Sequence, residues 1–223
     1  MEASHKAHGH GHAFVPALGF DWLTPLYDPL IQLTLREREV KQRLLEQARI
    51  APGATVVDLG CGTGTLALLI KAAQPTARVI GVDIDAKILD IARAKIARAG
   101  VEIELRQGLV QDVGLEPGSV DRALTTLVLH HLTSEEKLGA LRALHAALRP
   151  DGELHVADFG PPHNLLMSLV SAPFRFFDGH ARTNANFSGE MPEIIRQAGF
   201  GDVAERGHRM TPFGSLVYWS AAA

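Results

Sequence analysis

The feature that most restricts the folds open to this chain is a regular alternation, between residues 55 and 159, of short apolar runs with longer segments of helical period. "APGATVVDL" reads as a turn feeding a buried strand. After Asp58 the spacing predicts a helix from about Gly64 to Gln74, a strand over Arg78 to Val82, and a helix over Ala86 to Ala99 with Asp85 as its N-cap. A strand over Glu102 to Arg106, a turn at "EPGS" and a strand over Val120 to Leu127 follow. Thr133 and Glu136 have the spacing of a capping box at the head of a helix over Ser134 to Leu148, and "RPDGELHVADF" supplies a turn and another strand. Strands joined by helices at this rhythm require right-handed crossovers and a mostly parallel, doubly wound α/β sheet with helices on both faces. Ahead of it, Pro29 to Ile50 has a helical pattern with Asp28 as N-cap and Pro29 at the first position. The end differs: "GDVAERGHRM" and "SLVYWSAA", joined at "TPFG", read as an antiparallel hairpin on the sheet edge.

With 223 residues, 46 % of them hydrophobic, the chain can bury one substantial core, expected over residues 15–223. A net charge of −3 gives no bulk basic footprint for nucleic acid or an anionic membrane surface. The one cysteine, Cys61, excludes an internal disulfide framework. The apolar stretch from Leu165 to Phe177 is broken by Pro173 and Arg175 and is too short to span a bilayer, so a cytoplasmic protein without an integral membrane segment is expected. Residues 1–14 form an expected disordered tail in which His5, His8, His10 and His12 alternate with small residues. No thiol lies nearby to complete a structural metal site, and no metal ligand set is assigned.

In a doubly wound sheet, ligands bind beyond the carboxyl ends of the strands. There the sequence places Asp58 after strand one, Asp83 after strand two, Leu109 after strand three, Thr126 and the pair His130 and His131 after strand four, and Asp158 at the end of strand five. The loop "LGCGTGT" contains Gly60, Gly62 and Gly64 but lacks the lysine and hydroxyl of a triphosphate-binding loop. As a dinucleotide fingerprint it also fails: Thr65 stands where the third glycine belongs, and Asp58 would meet a pyrophosphate with like charge. A ligand with a cationic group near the loop and no phosphate fits better, and S-adenosylmethionine is one. Asp83, 25 residues beyond Asp58, has the place of an acid that accepts from ribose hydroxyls.

The stretches "VVDLGCGTGTLAL", "VIGVDIDAKILDIARAK" and "LRPDGELHVADF" together resemble the class I S-adenosylmethionine-dependent methyltransferases, in the branch that includes quinone, sterol and phospholipid enzymes. The similarity runs from about Tyr27 to Phe200 and implies a Rossmann-like fold. It also implies that Asp58 and the backbone of Gly60, Cys61, Gly62 and Gly64 hold the methionine end of the cofactor, that Asp83 holds the ribose, and that Ile84 packs on adenine. Tyr27 and Thr126 stand where relatives approach the cofactor. The sequence departs from the family pattern twice. Leu109 replaces the acid that commonly follows strand three, leaving adenine to backbone groups or Asp112, and "LVLHHLTSEE" replaces the Gly-Leu-Arg-Asn stretch of the quinone enzymes, which speaks against a quinone ring as acceptor.

Transfer from a sulfonium needs alignment more than acid–base chemistry. Where the acceptor must lose a proton, His130 and His131 are the candidate bases. Asp158, His163, Asp178 and His180 are read as surface or hydrogen-bonding residues on the connection over the acceptor side. "FDWLTPLYDPL" and "PPHNLLMSLVSAPFRFFDGHARTNANF" carry more aromatic and aliphatic residues than solvated loops need, which suits a small, partly hydrophobic acceptor. The competing reading is a catalytically silent protein that binds the cofactor and carries a metal-binding histidine tail.

Overall fold

The computed structural model describes residues 36–168 and 185–223. Within them the chain runs α1 (Glu37–Ala48), β1 (Thr55–Leu59), α2 (Thr65–Ala73), β2 (Arg78–Asp83), α3 (Ala86–Ala99), β3 (Glu104–Gln107) and β4 (Val120–Thr126). A 3-10 turn (Leu129–His131) and α4 (Ser134–Ala147) lead to β5 (Leu148–Phe159). After the undescribed stretch come α5 (Met191–Gln197), β6 (Gly201–Thr211) and β7 (Gly214–Ala222). Residues 1–35 and 169–184, with the predicted histidine tail, the start of the first helix, Tyr27, Asp178 and His180, lie outside the described residues.

The seven strands form one sheet in the order β3-β2-β1-β4-β5-β7-β6. The first five pair in parallel, and β7 runs antiparallel to both β5 and β6, as the hairpin pattern predicts. The chain moves outward from β1 to β3, then crosses back to β4, so strand order reverses between β1 and β4. Both faces are apolar. On one, Val56, Val79, Leu124 and Tyr218 pack with Val40 and Leu44 of α1 and Leu66 and Ile70 of α2. On the other, Val57, Ile80, Ala123 and Val156 pack with Leu141 and Leu144 of α4 and Ile194 and Ile195 of α5. Each fully buried aliphatic side chain here contributes roughly 1.5–3 kcal/mol of transfer free energy.

Local signals locate several ends. Asp85 accepts from the backbone amides of Lys87 and Ile88, and Thr133 with Glu136 closes both arms of the capping box. Three expectations are corrected. The predicted helix over Pro29 to Ile50 is not continuous: Arg36, at φ 50°, and Arg49, at φ 43°, take left-handed conformations that bound α1 at Glu37 and Ala48. The turn expected at "RPDG" is absorbed into β5 as an irregularity, because Val120 pairs with Leu148 while Arg122 pairs with Glu153, so the intervening residues bulge out of register. Asp158, read as a surface or hydrogen-bonding residue at the end of strand five, does stand near the carboxyl end of β5 and is hydrogen-bonded, but it is fully buried and not on the surface.

Candidate active site

Parallel pairing brings the carboxyl ends of β1 to β5 to one edge of the sheet, and the predicted site residues that lie among the described residues stand at or just beyond these ends. Asp58 is the penultimate residue of β1 and is buried, and its Oδ2 has no hydrogen-bond partner among the described residues. Burial pushes its carboxyl up to about 7, the Lys41 ammonium works in the opposite direction, and the neighbouring Asp83 raises it further. An unpartnered buried oxygen at a strand end fits a cationic ligand group, which would satisfy charge and hydrogen bond together.

The glycine loop is tied to β2. Gly60 and Cys61 donate their amides to the Val82 carbonyl at 2.8 and 3.0 Å, and Gly62 donates to Asp83 Oδ2 at 2.8 Å. Asp83 Oδ1 accepts from the Asp85 amide at 3.0 Å. Each carboxylate oxygen retains a second lone pair, so Asp83 holds the loop and can still accept from a diol. Gly60 has φ 67°, and a Cβ there would run into Val128 Cγ2. Gly62, at φ 54°, instead faces open space, with nothing within 4 Å of a built Cβ. Gly64, at φ 75°, is the N-cap of α2. The Cys61 side chain is buried, and a Cβ on Gly81 would come within 2.9 Å of its Sγ; only the backbone of Cys61 belongs to the loop's outer surface.

Ile84 and Leu109, following β2 and β3, are 53 % and 40 % exposed, a pair of large apolar side chains left in solvent beside Asp83. Thr126 closes β4; its Oγ1 and that of Thr125 are buried without a hydrogen-bond partner among the described residues.

Beyond Thr126 the chain turns sharply at Leu127, whose φ is 57°. Asp158 organises this turn: its Oδ2 accepts from the amides of Val128, Leu129 and His130 at 3.2, 2.7 and 3.3 Å, and its Oδ1 lies 2.7 Å from His130 Nδ1. Burial opposes ionisation of Asp158, but the His130 imidazole and the Phe159 amide, which donates to Oδ1 at 2.7 Å, outweigh it and hold the carboxyl below the ordinary carboxylate range. His130 is buried, its ring centroid lies 3.9 Å from that of the exposed His131 at a tilt of 44°, and it meets Phe159 edge-on at 5.0 Å.

Three contributors escape sequence reasoning. Lys41, buried and ion-paired with Glu37 on α1, acts on Asp58; its i,i+4 spacing to Glu37 is visible, but the face of α1 that meets the glycine loop is not. Lys95 of α3 donates to Thr63 Oγ1 at 2.7 Å. Asn186, fully buried, donates to the Phe159 carbonyl at 2.9 Å while its Oδ1 lacks a partner among the described residues.

A methyltransferase-domain family model matches residues 56–152. Over 153 residues the chain is 30 % identical to the demethylmenaquinone methyltransferase of Thermus thermophilus, covering 68 % of this chain and 69 % of that one. It is also 29 % identical to the uncharacterized methyltransferase sll0829 of Synechocystis over 185 residues, 81 % of this chain and 83 % of the relative. In fold it matches the crystal structure of magnesium protoporphyrin IX methyltransferase from Synechocystis with bound SAH, at TM-score 0.65 and 22 % identity over 86 % of this chain and 84 % of that one. Among the described residues, no helix is long and apolar enough to cross a membrane.

Proposed function

The chain belongs to the class I S-adenosylmethionine-dependent methyltransferases, and from that premise we propose that it moves the cofactor's methyl group to a small, partly apolar acceptor by in-line displacement at the carboxyl edge of β1, β2 and β4. The observation that carries this reading is Asp58 Oδ2, a buried acceptor without a partner among the described residues at the mouth of a glycine loop.

In this reading Asp58 accepts from the amino group of the methionine end, with the loop backbone at Gly60, Cys61, Gly62 and Gly64 shaped to admit it. Asp83 takes the ribose hydroxyls on its remaining lone pairs, Ile84 and Leu109 cover the adenine, and Thr126 Oγ1 faces the methionine moiety. Tyr27 keeps the place near the cofactor that resemblance gives it. Bound S-adenosylmethionine supplies a methyl group already activated on sulfur. What the chain adds is alignment, which in favourable systems supplies about 7–11 kcal/mol.

Where the acceptor must lose a proton, His130 takes it. Asp158 holds Nδ1, fixing the tautomer and the ring plane and stabilising the imidazolium that forms. His131 covers its other face. The apolar acceptor class is supported by the exposed Leu165 and Leu166 at 86 % and 61 %, at the start of the stretch leading away from β5, and by similarity to an enzyme whose acceptor is demethylmenaquinone.

The test uses purified protein, S-adenosylmethionine labelled on its methyl group, and a cell extract separated afterwards into organic, small aqueous and macromolecular fractions. Label in the organic fraction is expected. Label confined to macromolecules overturns the acceptor class, and no label from protein that binds the cofactor overturns the activity.

A further inference from the structure

Away from this edge, we propose that His163, Glu205 and His208 form a surface site for one divalent transition-metal ion of the zinc type. The three donors, His163 Nε2, Glu205 Oε1 and His208 Nδ1, lie within 4.8 Å of one another. Glu205 Oε1 is 3.3 Å from His163 Nε2 and 3.0 Å from His208 Nδ1. A tetrahedral zinc ion bound at about 2.0–2.2 Å holds its nitrogen and oxygen ligands roughly 3.3–3.5 Å apart, so the Glu205 carboxylate already stands near coordinating separation from each histidine. Two imidazoles and one carboxylate suit zinc, nickel and copper, and a hard ion such as magnesium or calcium would want more oxygen.

The backbone explains how these residues meet. Glu205 and His208 are three apart on β6, a spacing that in regular strand sends side chains to opposite faces. Glu205 pairs with Trp219 and Gly207 with Tyr218, so Arg206 is one residue in excess and a bulge restores both side chains to one side. Gly207 supports the bulge at φ 132°. The neighbouring arginines are turned elsewhere, Arg206 to Ser220 Oγ at 2.8 Å and Arg209 to Glu39 at 3.0 Å, which keeps their charge off the site. His163 comes from the segment after β5, where its amide lies 3.3 Å from Ser215 Oγ and its ring stacks on His208 at 3.6 Å. An ion held by all three residues would fasten the exit from β5 to the edge hairpin and leave a fourth position open to water or an external ligand. The site uses no residue of the histidine tail and does not depend on the methyl-transfer reading.

The experiment uses the full-length chain with His5, His8, His10 and His12 changed to alanine, which removes the tail's own affinity. Isothermal titration with zinc chloride alone, in a non-coordinating buffer, is expected to show one saturable equivalent. Glu205→Gln and His163→Gln should each weaken it tenfold or more, since even outer-sphere partners of a metal ligand carry about 10–100-fold in affinity. Zinc should also raise the midpoint of thermal unfolding of this protein and not that of either variant. No saturable uptake, or uptake equal in the tail-substituted chain and both variants, overturns the site. The two substitutions lie on different segments at exposed positions, so misfolding of one leaves the other as the test.

Discussion

His130 Nδ1 lies 2.7 Å from Asp158 Oδ1, and the other oxygen of the same carboxylate gathers three consecutive backbone amides. One buried charge therefore sets both the shape of the turn after β4 and the orientation of the imidazole it carries.

If His130 is the base, His130→Asn should lower kcat by about 10²–10⁴. Affinity for S-adenosylhomocysteine, measured by calorimetry, should stay within a few-fold of the parent. A matching loss of cofactor affinity would reassign His130 to packing against the cofactor.

Asp158→Asn should cost about 3–5 kcal/mol of stability in urea unfolding, because it removes a buried carboxylate that several donors satisfy and turns an amide donor toward them. The sign follows from the depressed carboxyl. Its contribution is present above the ordinary carboxylate range and is lost as pH falls through the lowered folded value, so the deficit of the variant should shrink in acid.

Asp58 runs the other way. Its carboxyl is raised to about 7, so its contribution is complete below the ordinary value of 3.8 and is lost as pH rises through 7. The ligand-free protein should lose stability over that window by an amount on the order of a few kcal/mol, and Asp58→Asn should flatten the loss. Cofactor affinity should rise from pH 6 to pH 8, because the cationic partner needs the carboxylate. The variant should be the more stable protein at pH 8 and the poorer binder; a parent whose affinity ignores pH would detach Asp58 from the ligand.

Asp83→Ala should reduce cofactor affinity by roughly 10²-fold or more, the loss of hydrogen bonds to a charged acceptor worth about 1.5–3 kcal/mol each. It also frees the Gly62 amide, so a modest fall in melting temperature is expected. Normal binding would move the site elsewhere.

The loop glycines separate folding from binding. Gly60→Ala runs its methyl into the Val128 side chain and should destabilise the protein by about 1–3 kcal/mol or more. Gly62→Ala meets nothing within 4 Å and should cost only the left-handed backbone term of about 1–2 kcal/mol. A larger loss of cofactor affinity than of stability in Gly62→Ala would mark open space that the ligand uses.

What the sequence discloses is mostly local. Asp85, the Thr133–Glu136 box and the hairpin turn near Phe213 depend on neighbours a few residues away, and the structure realises each. Asp58 and Asp83 were legible because parallel strands must end on one edge. The inward turn of Cys61 was not, since it depends on the missing side chain at Gly81, twenty positions later. Nor was the approach of Lys41 to Asp58, which needs the rotation of α1 about its axis, or the meeting of His163 with Glu205, which needs both strand order and a one-residue bulge. Pattern gives the period of an element and its buried face; it does not give the contacts of residues whose partners are set by packing between elements.

The same bulge has a consequence at the margin of the sheet. Among the described residues the seven-stranded sheet has two outer strands, and an outer strand is a template on which a strand of another molecule can add. Here β3 is four residues long and carries the paired charges of Glu104 and Arg106. The other margin, β6, breaks register twice and is studded with Glu205, Arg206 and Arg209. Neither side offers a long flat ladder, so the sheet terminates itself, and the twist that gathers Glu205 and His208 also guards the protein against growing by its edges.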